Sequence, residues 1–430
     1  MDILREPAIQ YWLISYTDLF GYQRAKLVPK SALDGMRADG AGFAGFASWL
    51  DLTPADGDLM AVPDMDTAVQ LPWKPEVAWV AADLVLNGKV LEHGPRNVLK
   101  RLVADAAAKG FELRTGVEAE FFLLSQDGQG ISDTADVADK PCYDQGAVMR
   151  RYDVISEICD YMEALGWGPY QNDHEDANGQ FEMNWHYDTA IKTADRHAFF
   201  KFMVKSVAEA HGFKATFMPK PFAHLTGNGC HVHVSGWKPG SDHCLFEDSS
   251  DENGLSEIAK HFMAGVLKHA PAMTAIMNPT VNSYRRIAPG TTRSGATWAP
   301  STVTWTGNNR THLVRIPGAG RFELRLADGA ANPYLLQAAI LAAGLEGLEN
   351  KMTLAARQDI NMYEAIPDEQ DVEKLPTNLG EALKRMAANT TLRDRLGAAV
   401  CDSYLKLKSA EWDGYLRHFS KWEVDNAIDI

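Results

Sequence analysis

The stretch Arg321-Phe322-Glu323-Leu324-Arg325 decides how this chain is read. Charged and apolar residues alternate, so on a β-strand all three charges project from one face. Its flanks, Leu313-Val314-Arg315-Ile316-Pro317 before it and Leu326 after it, are those of a strand in a sheet interior. Charge there is costly unless it is paired or holds a ligand. Two basic groups around one acid suit a site for a metal and anionic oxygens.

Three further segments repeat the pattern. In Gly116-Val117-Glu118-Ala119-Glu120-Phe121-Phe122 two carboxylates share a face and the apolar end enters the core. In Cys230-His231-Val232-His233-Val234-Ser235 two imidazoles and a hydroxyl do the same. In His174-Glu175-Asp176-Ala177-Asn178-Gly179-Gln180-Phe181-Glu182 the Asn-Gly pair predicts a type I′ hairpin turn, with positive φ at both central residues. Centred there, the hairpin sets Glu175 and Glu182 directly opposite each other, where they repel unless a cation lies between them.

One His-x-His or Glu-x-Glu is more often a solvated face than a ligand pair, but four such patterns in one chain argue for a site. Carboxylates with imidazole suit Mg²⁺ or Mn²⁺, and the absence of clustered cysteines argues against structural zinc. Six ligands in two sets of three describe a two-metal centre for phosphoryl chemistry.

The chain has 430 residues, 46% hydrophobic and 23% charged, which is ordinary for a globular protein. Its net charge of −15 excludes nucleic acid as the main partner, because phosphate backbones need a basic face. No apolar run is long enough for a membrane span, and the first residues lack a signal-peptide plan. Five scattered cysteines without a Cys-x-x-Cys spacing predict reduced thiols in a cytoplasmic protein.

Residues 1–95 are expected to form a small mixed domain, with strands over 9–16 and 21–29, a short helix over 29–37, and strands near 59–62, 67–71 and 77–86. Residues 96–430 form the second domain, with helices over 96–109, 147–166, 195–211 and 335–351 and a helical tail from Asn378. Asn332-Pro333 is the cap and first turn of the long apolar helix. The expected class is α+β, antiparallel strands lined by helices. Neither a Walker A loop nor a GxGxxG fingerprint occurs, so strands and side chains must hold any nucleotide.

These motifs, with Ala215-Thr216-Phe217-Met218-Pro219-Lys220-Pro221, Asn278-Pro279-Thr280-Val281-Asn282-Ser283-Tyr284-Arg285-Arg286 and Ala330-Ala331-Asn332-Pro333-Tyr334, resemble the glutamine synthetase superfamily along nearly the whole chain. The resemblance implies an N-terminal β-grasp domain, a catalytic domain of the glutamine synthetase type, and active sites shared between neighbours in a homo-oligomer of stacked rings, a dodecamer in the leading case. It implies Glu120, Glu175 and Glu182 as ligands of a metal that orders the amino-acid substrate, and Glu118, His231 and Glu323 as ligands of the metal on the ATP phosphates. Roughly two to three Mg²⁺ or Mn²⁺ ions would then occupy each site. Arg286, Arg325 and Gly227 match the glutamate site. Arg310, Arg315 and Arg321 match the phosphate contacts, and His233, Ser235 and Tyr187 the nucleotide side. Arg310, Arg325 and Glu175 are the expected catalytic groups. The implied chemistry is phosphorylation of a glutamate carboxylate by ATP, followed by attack of an amine on γ-glutamyl phosphate.

Two departures bear on the amine. Ammonia-using members carry an acid where Ala44 stands in Phe43-Ala44-Gly45-Phe46, and a second on a flap (here about residues 287–306), where counting from Pro289-Gly290 reaches Thr292. Thr226 replaces an expected Asn before Gly227. Loss of both acids, with Phe43 and Phe46 making an apolar wall, predicts a small primary amine, methylamine first, in place of ammonium. The alternatives are ammonia-dependent glutamine synthesis, a polyamine ligase, and a two-metal hydrolase. Tyr363 falls near a tyrosine that some bacterial relatives adenylylate; an unmodified loop tyrosine is the simpler reading.

Overall fold

The structure, a computed structural model, describes residues 3–287, 292–364 and 372–429. Strands β1 (Tyr11–Thr17) and β2 (Gln23–Pro29) form the first antiparallel hairpin. Asp18 shapes its turn by accepting the N–H groups of Phe20 and Tyr22, each at 3.1 Å. With β3 (Ala41–Phe43), β4 (Leu59–Pro63), β5 (Val69–Leu71), β6 (Lys74–Leu86) and β7 (Lys89–Val90) it builds a seven-stranded sheet whose main path is β2-β1-β6-β4-β3. The β1–β6 pairing is parallel and the rest are antiparallel. Helix α1 (Leu33–Asp39) starts later than expected, because Pro29 is extended and a 3₁₀ turn, Lys30–Ala32, intervenes.

Helix α2 (Pro95–Ala108) opens on the proline that suits a first turn. Next come β8 (Glu112–Ala119) and β9 (Phe121–Leu124), separated by Glu120 alone. Residues 147–166, expected as one helix, are two: α3 (Gln145–Arg150) and α4 (Tyr152–Ala164). They break at Arg151, with φ −118° and ψ 16°. After β10 (Pro169–His174), β11 (Gln180–Trp185) and β12 (Asp188–Thr189) follow α5 (Ala190–Ala210), β13 (Lys214–Thr216) and β14 (Cys230–Trp237). Then come α6 (Glu257–Met277), α7 (Ser283–Ile287), β15 (Trp305–Thr306), β16 (Val314–Gly318), β17 (Arg321–Leu324) and α8 (Pro333–Glu349). The tail is helical from Asn378, as expected, and Asn378 caps its first helix by accepting the N–H of Glu381.

Two sheets carry the site. One has the order β12-β8-β14-β17-β16-β15 and the other β10-β11-β9-β13. The chain crosses between them at Glu120, whose N–H bonds the Gly229 carbonyl at 3.2 Å. Behind them α6 and α8 pack together, both almost wholly buried. Gly265 and Gly347 permit their close crossing: a Cβ on Gly265 would collide with the Ala343 carbonyl, and one on Gly347 with that of His261. The sequence reading missed α6. It is apolar nearly all round and holds Pro271 in its interior, which reads as a break. Among the described residues no helix is long and apolar enough to cross a membrane.

Candidate active site

The alternating strands converge as their spacing predicts. On β14, His231 lies opposite Glu118 of β8, and His233 opposite Glu323 of β17. Glu118, His231 and Glu323 bring one ligand atom each to within 4.8 Å of one another. So do Glu120, Glu182 and His231, and so do Asp173, Glu175 and Glu182. The expected trio Glu120, Glu175 and Glu182 is therefore spread over two overlapping clusters joined by Glu182.

The hairpin differs from expectation. Of the Asn178-Gly179 pair only Gly179 has positive φ, 77°, so the turn is not type I′. It is wider: Glu175 N–H bonds Gln180 O at 2.9 Å, and Gln180 N–H bonds Ala177 O at 3.0 Å. Buried Asp136 shapes it by accepting Asn178 Nδ2 at 2.8 Å and Gly179 N–H at 2.6 Å. As a result Glu182 opposes Asp173, and Glu175 lies just past the end of β10. Asp173 is a site acid that the sequence reading missed. It shares the face of Glu175 by strand alternation, whereas His174 points the other way, bonding Asp136 at 2.7 Å.

The electrostatics separate the two ends of the acid cluster. Burial alone would raise Glu118, but hydrogen bonds from His231 and His233 (Nε2 to Oε1, 2.8 Å) hold it well below the usual range. Burial likewise opposes Glu323, which Arg325 and then His231 hold low; Arg315 Nη1 also donates to it at 2.7 Å. Burial and Arg325 depress His231 to about 4, so it is neutral and ready to ligate. Glu120 is pushed up to about 7 by burial, although Gly229 N–H donates to it at 2.7 Å. Glu175 and Glu182 are raised well above the carboxylate range by burial and by neighbouring carboxylates, and Asp173 to about 6 by burial and Glu118. This crowding of hard oxygen donors with one neutral imidazole fits Mg²⁺ or Mn²⁺.

The acids line a cavity of about 650 Å³ together with Arg310, Arg315, Arg321 and Arg325. Arg286 lies behind His231, 3.5 Å from its Nε2, and the buried Nε atoms of Arg286 and Arg325 have no hydrogen-bond partner among the described residues. Buried guanidinium donors left unpaired invite an anion. Gly227 lets the chain pass close to Pro219 and Arg286, since a Cβ there would collide with the Pro219 carbonyl and meet Arg286 Cγ at 3.2 Å. Gly229, which the sequence reading left unassigned, abuts three functional side chains at once. A Cβ on it would lie 2.8 Å from Glu120 Oε1 and 2.9 Å from both Arg286 Nη2 and His231 Nε2.

A second cavity, about 500 Å³, adjoins the first; Glu118, Tyr170, His233 and Arg321 line both. Ser235 and Tyr187, the residues the resemblance puts on the nucleotide side, line it. Tyr187 is half exposed and stacks on Trp237, 6.1 Å between centroids. Trp237 also donates to Ser235 Oγ at 2.8 Å and receives the Arg114 guanidinium on its ring at 4.5 Å.

Two expected amine-site residues are not in the cavity. Ala44 is exposed on the loop after β3, among Phe46 and Trp49, and does not line the cavity of its own chain. Thr292 is buried, donates to Ala296 O at 2.6 Å, and lies off the cavity wall. The flap residues that reach the wall are Ser294, Ala296 and Trp298; Pro289-Gly290-Thr291 lie outside the described residues. Thr226 takes a new partner, donating to Asp176 Oδ2 at 3.1 Å. Tyr363, 42% exposed, lies beside Thr297 of the flap.

The family model for the glutamine synthetase catalytic domain matches residues 92–427. The chain belongs to the glutamine synthetase family. It is a carbon–nitrogen ligase of that family. It is 62% identical over 426 residues to a glutamine synthetase of Rhizobium leguminosarum bv. phaseoli, covering 99% of this chain and 98% of the relative. It is 42% identical over 438 residues to a glutamate–methylamine ligase of Methyloversatilis universalis, covering 100% of this chain and 98% of that one. A solved GmaS/ADP complex superposes with a TM-score of 0.96 at 57% identity, covering 100% of this chain and 99% of that chain. The α+β architecture is that of the glutamine synthetase fold.

Proposed function

We propose that the chain joins L-glutamate to a small primary amine, methylamine first, using ATP, through γ-glutamyl phosphate. The observation that carries this is the flap. Residues 287–309 contain no Asp or Glu, and among the described residues those lining the cavity are Ser294, Ala296 and Trp298. An ammonium site wants anions on every side; an alkylammonium needs one apolar side. The likeness over the full chain to a GmaS structure points the same way. The competing reading is ammonia-dependent glutamine synthesis, the activity named for the 62% relative.

The residues divide the work. Glu118, His231 and Glu323 would hold one divalent ion, and Glu120, Glu175 and Glu182 a second. Bound there, the ions would neutralise charge on the phosphates and the glutamate carboxylate. Arg310, Arg315 and Arg321 contact the transferring phosphoryl group, and Arg286 and Arg325 hold the glutamate. Asp173, with Glu175, attracts the alkylammonium and accepts its proton as the amine attacks the acyl phosphate. His233, Ser235 and Tyr187 hold the nucleotide in the adjoining cavity. The domain division is at residue 95, with the ATP, metal and glutamate sites in residues 96–430. The exposed Ala44 loop fits a homo-oligomer of stacked rings in which that loop completes a neighbour's site. Five unpaired cysteines fit a cytoplasmic setting.

Steady-state rates of phosphate release with ammonium, methylamine, ethylamine and putrescine test the reading. Methylamine is expected to have the highest kcat/KM. If ammonium has it, the reading fails.

A further inference from the structure

Trp298 stands out on the cavity wall. Its φ is 54°, in the left-handed region, where a bulky residue stays only if its surroundings hold it. Three contacts do so. The indole Nε1 donates to Asp176 Oδ2 at 2.6 Å. Arg325 Nη2 donates to the Trp298 carbonyl at 3.5 Å. The same Asp176 oxygen also receives Thr226 Oγ1 at 3.1 Å and Ser294 Oγ, which pins the segment around Trp298 to the turn that carries Glu175. The ring is half-buried, with its remaining surface on the cavity it lines.

The walls around the acids are mostly charged, and their oxygens take up the N–H donors of an ammonium group. An alkyl substituent must therefore turn to apolar surface. Trp298 is the largest side chain on the wall, and Asp176 holds it beside the acid end. We infer that Trp298, oriented by Asp176, sets the size limit on the amine substituent: Trp298 is the specificity-determining residue, and Asp176 positions it. This rests on the reading of the chain as an alkylamine ligase. It assigns the apolar part of the amine site to the chain that supplies the acids, not to the Ala44 loop.

The test is kcat/KM for methylamine, ethylamine, n-propylamine and n-butylamine in the full-length wild type and in Trp298→Ala, Trp298→Leu, Asp176→Ala and Asp176→Asn. Trp298→Ala is expected to raise the n-propylamine to methylamine ratio at least about tenfold, since a methylene or two in a fitted pocket commands that range. Asp176→Ala should move the ratio the same way by at least about threefold, because the ring loses its anchor, and Asp176→Asn, which keeps an acceptor oxygen, should restore the wild-type ratio. Trp298→Leu keeps the proposal testable if the alanine variant fails to fold. Ratios within about twofold of wild type in the Trp298 variants overturn the inference, as does an equal fall in rate for every amine. A wild type that prefers ammonium refutes the proposed function only; the ratio among alkylamines still decides the role of Trp298.

Discussion

Gly229→Ala adds a single methyl group among three functional side chains of the site, Glu120, Arg286 and His231. The glycine has no positive φ, so alanine meets no backbone penalty and any effect is steric. The new Cβ would lie 2.8 Å from Glu120 Oε1 and 2.9 Å from Arg286 Nη2 and His231 Nε2, where ordinary contact begins at 3.4 Å. Each neighbour must therefore retreat by about half an ångström. Glu120 is buried with Gly229 N–H and Gln180 Nε2 on one oxygen, and Arg286 is tied to Leu326 O at 3.1 Å, so neither retreats freely. A misplacement of about 1 Å costs roughly 10²-fold in rate, so shifts of half that size at three groups together predict a loss of about 10- to 10²-fold in kcat/KM. Overpacking adds about 1–3 kcal/mol of destabilisation. The assay is ATP- and amine-dependent phosphate release at saturating Mg²⁺, with a titration of the metal requirement and a thermal melt. Expected are a lower kcat/KM and a weaker metal requirement curve in a protein that still folds. A variant within about threefold of wild type in kcat/KM and metal dependence would show that Glu120, Arg286 and His231 do not act at this spacing.

Three further outcomes follow from the geometry. Asp173→Asn removes the acid opposite Glu182, and amine-dependent kcat is expected to fall about 10²-fold with little change in the KM for ATP, measured by steady-state kinetics. Chelation with EDTA should abolish activity, and Mg²⁺ at about 100 times its Kd should add about 2.7 kcal/mol of stability, read from the shift in Tm. Gly265→Ala forces a methyl group into the α6–α8 crossing and is expected to destabilise by about 1–3 kcal/mol, measured by denaturant unfolding; no change in midpoint would mean that the helices separate without penalty.

Much of the site was legible because charge at a two-residue period on an otherwise apolar strand leaves few options. The strands bearing Glu118, His231, His233 and Glu323 follow that rule, and their register brings the side chains together. Asp173 was hidden because the Asn-Gly signal drew attention to a tight turn. In the structure Asp136 supplies the turn's hydrogen bonds from 42 residues away in sequence, and no local pattern carries that information. Helix α6 was illegible for the opposite reason: burial on all sides erased its amphipathic period, and Pro271 mimicked a boundary. Trp298 was missed because counting from Pro289-Gly290 stopped at Thr292. What singles out Trp298 is its partner Asp176, 122 residues earlier.

Glu182 and His231 each belong to two of the three ligand clusters. Neighbouring ions would thus draw on the same side chains, and filling one position would alter the grip of the next. Occupancy is a property of the whole row, so dose–response curves for the cation should depart from a simple hyperbola, and the pocket's readiness for substrate becomes sensitive to small swings in free magnesium.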